Sequence, residues 1–237
     1  MPKGKIYLIP TYLSENNDAK FLAPMVLDIV KHTDYYLVEN IRTARRFISS
    51  LKLGLDIPTL TFEQLDKKTS ADQVHELMQE VLQGRNVGIM SEAGLPGLAD
   101  PGSLAVRFAH QHGLQVIPLP GPSSIMTAVI NSGFSGQQFS FNGYLPIQRA
   151  ERIARIKGLQ TQLNNTKYTQ VFMETPFRNM SLMDDLLDHL DNHTLLSVTS
   201  DAFGAKEFIR TQTVRAWKKS EFDLHKIPTV FCIGHFS

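Results

Sequence analysis

Apolar residues in the first half of the chain follow two alternating periods. Short, nearly continuous apolar runs are typical of strands buried on both faces, and they occupy Lys5–Leu13, Tyr35–Glu39, Asn86–Met90 and Leu114–Leu119. Between them lie stretches with the spacing of one helical face, at Ala23–Thr33, Arg42–Leu51, Ser70–Gly84 and 100–113. Strands that alternate with helices predict a parallel α/β sheet.

Local signals indicate where two of these helices begin. Ser70 and Gln73 have the spacing of a capping box, and Gly84 follows the last apolar position of that helix. Asp100 is the expected cap of the next helix, with Pro101 in its first position.

The texture changes near "FSGQQFSFNGYLP", where glycine, serine and glutamine cluster, and a domain boundary is predicted there. The expected domains are an N-terminal α/β domain at 1–135 and a C-terminal domain at 136–237. The second half has a charged helix at Arg149–Leu163, a helix at Met180–Leu190 and a succession of short strand-like pieces. This order favours an α+β domain with a mixed sheet. The strand-like pieces are "TQVFMET", "LLSVTSDA", "EFIRTQTVRAW" and "TVFCIGHF".

Composition bounds the class of protein. The 237 residues carry a formal net charge of +1 and 42% hydrophobic residues, which allows a sizeable core and excludes a uniformly basic surface. The single cysteine, Cys232, cannot form an internal disulfide. No window approaches the ~20 apolar residues that a membrane helix needs. A cytoplasmic protein is therefore expected.

Two loops rich in glycine and proline follow predicted strands. They are "SEAGLPGLADPG" (Ser91–Gly102) and "PGPSS" (Pro120–Ser124). Because ligands of open α/β sheets bind outside the carboxyl ends of the strands, both loops are expected near each other on one rim. Prolines remove amide donors, and neither a Walker pattern nor a G-x-G-x-x-G follows the first strand, so a ligand that is not polyanionic is favoured. The alternative is that both loops are only rigid turns.

Other catalytic patterns are weak, and two arginine clusters stand out. No H-E-x-x-H pair or G-x-S-x-G occurs, and no metal site is expected. The arginine clusters are either solvated helix faces or patches that contact RNA phosphates. They consist of Arg42, Arg45 and Arg46, and of Arg149, Arg152 and Arg155.

Several motifs together resemble one family. "SEAGLPGLADPG" resembles the "SDAGTPxISDPG" loop of methyltransferases with the tetrapyrrole-methylase fold, in the branch that methylates ribose 2′-oxygens of small-subunit ribosomal RNA. "VIPLPGPSSIMTAVINSGF" and "FSFNGYLPIQRAER" are similar to that branch's next motifs, in the same order. "FMETPFR" corresponds to its "FYESPHR" and retains Glu174, Pro176 and Arg178.

The resemblance implies a two-domain α/β enzyme, usually a homodimer, that binds S-adenosylmethionine in the cleft between its domains. A ribose hydroxyl also needs a base or a polarising group. Glu39, Glu92 and Arg178 are catalytic candidates by charge and expected position on the rim. The cofactor surface of the family maps to Pro10, Ala93, Gly94, Pro96, Leu98, Ser123 and Ser124, with Met173 and Ala202 from the second domain.

The chain departs from the family on the substrate side. This chain has "ENIR" where the family has "EDTR", and "TSDAFGAKE" where the family has "RELTK". Phe177 replaces a histidine of the family pattern, and Gln148 replaces a lysine. The first loop has become "PTYLSENNDAKFLA". Three functions therefore remain open: a methyltransferase acting on RNA ribose, methylation of a tetrapyrrole or another small molecule, and a protein that binds S-adenosylmethionine without catalysis.

Overall fold

A computed structural model describes residues 2–14 and 21–236. The altered first loop is thus described only in part, because residues 15–20 lie outside this range. The chain divides into two compact units, Met1–Ser123 and Ser124–Ser237. No helix of the described chain is both long enough and apolar enough to cross a membrane.

The first unit contains a five-stranded sheet in which all strands are parallel, as the alternating pattern predicts. The order is β3-β2-β4-β1-β5. Apolar residues on both faces of the sheet pack against helices. The strands are β1 (Lys5–Leu8), β2 (Tyr35–Val38), β3 (Thr61–Gln64), β4 (Val87–Met90) and β5 (Gln115–Pro118). The helices are α1 (Pro24–Lys31), α2 (Ile41–Ser50), α3 (Ala71–Leu77), α4 (Gln79–Leu82) and α5 (Gly102–His112).

Two helix starts show how well local signals work. The capping box of Ser70 and Gln73 is present, but the helix predicted over Ser70–Gly84 breaks at the buried Met78 into α3 and α4. Helix α5 begins one residue later than expected, with Pro101 at the N-cap position. The Asp100 carboxylate instead accepts hydrogen bonds from the amides of Gly97 and Gly102, so it braces the preceding loop as well as the helix start.

The second unit contains a mixed sheet with the order β6-β7-β10-β8-β9, as expected. Strands β6 and β7 are parallel, and the other neighbours are antiparallel. The predicted strand "EFIRTQTVRAW" divides into β9 and α9, because the Thr213 side chain caps a helical turn. The strands are β6 (Phe139–Tyr144), β7 (Thr169–Glu174), β8 (Leu195–Ser200), β9 (Phe208–Thr213) and β10 (Thr229–Gly234). The helices are α6 (Ser124–Ser132), α7 (Arg149–Thr166), α8 (Asn179–His189) and α9 (Val214–Trp217).

Helix α6 belongs to the second unit, which therefore begins before the boundary expected after residue 135. Ile125, Ala128 and Val129 on its apolar face share a buried cluster with Val230 and Cys232 of β10. The change in composition near Phe134–Pro146 marks the entry into β6, whereas the packing of α6 sets the division between the units.

Candidate functional site

Three loops meet where β1, β4 and β5 end, as the parallel sheet predicts. The Thr11 amide donates to the Gly94 carbonyl at 3.0 Å. A Cβ on Gly94 would lie 3.1 Å from the Pro122 carbonyl oxygen, and one on Gly121 would lie 2.2 Å from Pro10 Cβ. The loops Ser91–Gly102 and Pro120–Ser124 therefore lie side by side, with the chain after β1 between them.

The long loop after β4 holds its own shape through internal contacts. The Ser91 hydroxyl donates to the Ala93 and Gly94 carbonyls, and the Asp100 carboxylate accepts from the Gly97 amide at 2.8 Å. Gly94 and Gly97 have φ of +74° and +85°, in the left-handed region that favours glycine. Glycine therefore serves backbone conformation at both positions. Space is tight around Gly94, whereas no atom lies within 4 Å of a Cβ built on Gly97.

An apolar cavity of about 280 Å³ opens beside this loop. Its wall includes Pro96 and Leu98, two of the residues expected to contact the cofactor, together with Val106 of α5 and Leu119 after β5. Ser103, at the start of α5, is a polar lining residue that the sequence analysis did not single out. Helical spacing alone could not reveal it, because its exposure to the cavity depends on how the loop folds back.

The other expected cofactor residues fall into two places. In the first unit, Pro10, Gly94 and Ser123 are buried where the loops meet, and Ala93 is exposed nearby. In the second unit, Ser124 begins α6, Met173 lies near the end of β7, and Ala202 follows β8. Strands β7 and β8 run in the same direction on either side of β10, so Met173 and Ala202 lie at the same edge of the second sheet.

Two of the three catalytic candidates are neighbours at the rim of the first sheet. The Glu92 amide donates to Glu39 Oε2 at 3.4 Å, and Thr43 of α2 donates to Glu92 Oε1 at 3.3 Å. Burial raises the pKa of Glu39, and the negative charges of Glu92 and Asp100 raise it further, against the opposing hydrogen bond from the Glu92 amide. The positive charge of Lys67 lowers this pKa in turn, so three carboxylates and one lysine act on this part of the rim.

The third candidate, Arg178, lies in the second unit and is held by an ion pair. Its Nη2 is 2.5 Å from Oε1 of the buried Glu174, and that oxygen also accepts from the Thr175 amide. Glu174 Oε2 and Arg178 Nε are buried without a hydrogen-bond partner in the described part of the chain. The ion pair thus fixes the Arg178 guanidinium, and each of the two side chains keeps one polar atom that can still form a hydrogen bond.

In the cluster of Arg149, Arg152 and Arg155, Arg152 is excluded as a phosphate contact by its burial, whereas Arg149 and Arg155 are exposed. Arg152 is buried, and its Nη2 lies 2.6 Å from Oδ2 of the buried Asp185. Arg149 reaches Asp185 Oδ1 at 3.0 Å, and Arg155 donates to Asn142 at 2.6 Å. Burial by itself would raise the pKa of Asp185, but hydrogen bonds from the two arginines lower it below its ordinary value. The ion pairs of Arg149 and Arg152 with Asp185 join α7 to α8 within the second unit.

The other cluster is exposed to solvent. Arg42, Arg45 and Arg46 project from α2, and in residues 2–14 and 21–236 no carboxylate forms an ion pair with them. Arg45 and Arg46 line a surface depression of about 490 Å³ with Ser49, Ser50 and Ile57. Within the same described ranges, no group of three metal-ligating side chains occurs.

Comparison with known proteins agrees with this architecture. The family model described as Tetrapyrrole (Corrin/Porphyrin) Methylases matches residues 27–216. "Ribosomal RNA small subunit methyltransferase I" of Halalkalibacterium halodurans is 29% identical over 208 residues, which is 88% of this chain and 68% of that protein. The protein of the same name from Thermotoga maritima is 29% identical over 90% of each chain.

Solved structures of low sequence identity share the fold. The methyltransferase CobJ superposes with a TM-score of 0.65 at 15% identity, covering 98% of this chain and 94% of that chain. Uroporphyrin-III-C-methyltransferase from Thermus thermophilus gives 0.58 at 17% identity, with coverage of 98% and 94%. Because the family model matches most of its length and the two-sheet fold agrees, the chain belongs to the tetrapyrrole (corrin/porphyrin) methylases and is a methyltransferase.

Proposed function

We propose that the chain transfers a methyl group from S-adenosylmethionine to a ribose 2′-oxygen of small-subunit ribosomal RNA. The names of its relatives and the ordered motifs shared with that branch support the acceptor. The observation that carries the proposal is the rim of the first sheet, where three loops meet beside an apolar cavity and two carboxylates. The sequence after the first strand has no phosphate-binding glycine pattern.

The residues present fit the proposed cofactor. A sulfonium is positively charged, and the carboxylates of Glu39, Glu92 and Asp100 act on the rim, opposed by one lysine. The apolar wall beside Pro96 and Leu98 suits a nucleoside without phosphates, and the open space at Gly97 lets a ligand approach the backbone. S-adenosylmethionine would supply the activated methyl group. Its proposed contacts are Pro10, Ala93, Gly94, Pro96, Leu98, Ser123 and Ser124, with Met173 and Ala202 from the second unit.

Among the three catalytic candidates, Glu39 is the best base. A carboxylate with a raised pKa is more basic, so it accepts a hydroxyl proton more readily near neutral pH. The Glu92 amide orients the Glu39 carboxylate, and Thr43 orients Glu92 in turn. Arg178 is proposed to polarise the ribose hydroxyl rather than to exchange a proton with it, because a guanidinium stays charged.

The proposal extends to the partners of the protein. The exposed arginine face of α2 supplies positive charge for RNA phosphates. A homodimer and a cytoplasmic location are proposed from resemblance to the same branch.

Two measurements test the function. Calorimetry with S-adenosylmethionine and S-adenosylhomocysteine tests the donor site, and binding of neither would refute the proposal. Transfer of a labelled methyl group is then measured on small-subunit ribosomal RNA and on a tetrapyrrole precursor. We expect label in the RNA, resistant to alkali at the modified ribose. Label in the tetrapyrrole alone would favour the second function, and cofactor binding without transfer to either would favour the third.

Glu39→Gln provides the matched control within the same experiment. The amide oxygen of glutamine can still accept from the Glu92 amide, but glutamine cannot take up a proton. We expect cofactor affinity close to that of the parent protein and transfer reduced by at least about a hundredfold, the lower range for general base catalysis. Unchanged transfer would remove Glu39 from the proposed chemistry.

A further inference from the structure

Three strands of the second sheet that run in the same direction each end in an exposed ring side chain. Tyr144 closes β6 and is 52% exposed, and Phe177 in the turn after β7 is 72% exposed. Phe203 in the loop after β8 is 39% exposed. Because β6, β7 and β8 share a direction, these rings lie at one end of the sheet, which we call the aromatic edge.

Hydrogen bonds tie the loops of the aromatic edge together. The Lys226 amide donates to the Pro176 carbonyl at 3.0 Å, which joins the turn carrying Phe177 to the chain entering β10. The Asp201 amide donates to the Pro228 carbonyl at 2.9 Å, which joins the loop after β8 to the same chain. The loops bearing Phe177 and Phe203 are therefore held on either side of the entry to β10.

Positive charge accompanies the rings. Lys226 Nζ lies 5.8 Å from the centre of the Phe177 ring, within the range of a cation–π contact. The two carboxylates of the loop after β8 are turned onto amides of their own loop. Asp201 accepts from the Lys206 amide, and Glu207 accepts from the Phe203 amide. The edge thus combines exposed rings with the Lys226 ammonium, whereas lysine is depleted at protein–protein interfaces.

This combination fits single-stranded nucleic acid better than another protein. Unpaired bases stack on aromatic side chains, and neighbouring cations bind the phosphates. We propose that the aromatic edge stacks unpaired bases of the RNA acceptor, with Phe177 as the principal platform. The inference rests on the proposed function, because it requires an RNA substrate. It assigns a role to Phe177, which stands where the family motif has a histidine.

The test measures binding of the full chain to a labelled, unstructured RNA oligonucleotide by fluorescence anisotropy. Phe177→Leu keeps an apolar side chain but removes the π face, whereas Phe177→Trp keeps a stacking surface. We expect Phe177→Leu to weaken binding by at least about fivefold, the lower end for loss of one stacked base, and Phe177→Trp to stay within about twofold of the parent protein. The matched control is Ile130→Ala on α6, a site that is 75% exposed and apolar, which should leave affinity unchanged.

Salt dependence separates stacking from charge. Phe177→Leu removes no phosphate contact, so the slope of log affinity against log salt should stay the same while affinity falls. Equal affinity of the parent protein and Phe177→Leu would overturn the inference and leave the proposed function standing. Failure of the parent protein to bind RNA or to methylate it would overturn both. If RNA affinity is unchanged and Phe177→Leu converts a dimer to a monomer in light scattering, the edge binds a second copy of the chain instead.

Discussion

Replacing Gly94 by alanine tests whether the loop after β4 is a precisely fitted part of the rim. Gly94 has φ of +74°, and a left-handed conformation costs a residue with a Cβ about 1–2 kcal/mol. The new Cβ would also lie 2.9 Å from Leu13 Cδ2 and 3.1 Å from the Pro122 carbonyl oxygen. The leucine methyl can rotate away, but the carbonyl can move only with the chain after β5.

Gly54 offers a matched control for the backbone cost. Its φ is +75°, and no atom lies within 4 Å of a Cβ built there. Gly54→Ala should therefore lower the free energy of unfolding only by the conformational cost of about 1–2 kcal/mol. Gly94→Ala should lose about 1–3 kcal/mol more, the usual cost of crowding a packed site.

Urea denaturation followed by far-UV circular dichroism gives the free energies of unfolding, and calorimetry gives the affinity for S-adenosylmethionine. Trp217, the only tryptophan, lies in the second unit, so its fluorescence checks that the loss arises in the first. We expect weaker cofactor binding for Gly94→Ala, by about tenfold if the distorted rim loses about 1.4 kcal/mol of binding free energy. Equal stability and equal affinity of the two variants would refute the fitted rim and leave the loop as a plain turn.

Three further outcomes are expected. Arg152→Met should lower the free energy of unfolding by about 3–5 kcal/mol, because Asp185 would stay buried without its main partner. In the parent protein, the stabilisation by the ion pair should be lost as the pH falls below 3.8, the ordinary pKa of Asp185. Adding Asp185→Leu to Arg152→Met should recover part of the lost free energy of unfolding. In the parent protein the raised pKa of Glu39 means that the folded state keeps this proton to higher pH than the unfolded state, so stability falls as the pH rises above 4.5. Glu39→Gln lacks this proton, so its free energy of unfolding should rise relative to that of the parent protein over the same pH range. A difference in free energy of unfolding that does not change with pH would contradict this. Arg45→Gln with Arg46→Gln should reduce the salt slope of RNA binding by about 1.4, at 0.7 for each lost phosphate contact, whereas an unchanged slope would place the RNA elsewhere.

Much of the fold could be predicted because it depends on local patterns. The double-faced apolar runs indicate strands covered on both sides, and such strands are parallel. Parallel strands in turn bring the loops after β4 and β5 to one rim, and the contact between Gly94 and Pro122 bears this out. The capping box of Ser70 and Gln73 forms within one turn of chain, so no distant residue is needed to predict it.

The two arginine clusters show that a local sequence pattern does not predict whether a charged side chain is buried. Both have the spacing of a charged helix face, yet Arg45 is exposed and Arg152 is buried against Asp185 of another helix. Whether a cation faces solvent or a buried carboxylate depends on the element packed opposite it, which sequence spacing does not encode.

The sequence by itself determined the class of sheet in each half, the capping box of Ser70 and Gln73, and the pair of loops expected at one rim. These follow from side-chain period and backbone conformation, which act over a few residues. Only the tertiary structure decided that α6 packs on the second sheet, that Glu39 and Glu92 adjoin, and that Phe177 lies beside Lys226. The reason is that burial and charge are set by neighbours distant in sequence, and desolvation changes their energies more than any local propensity does.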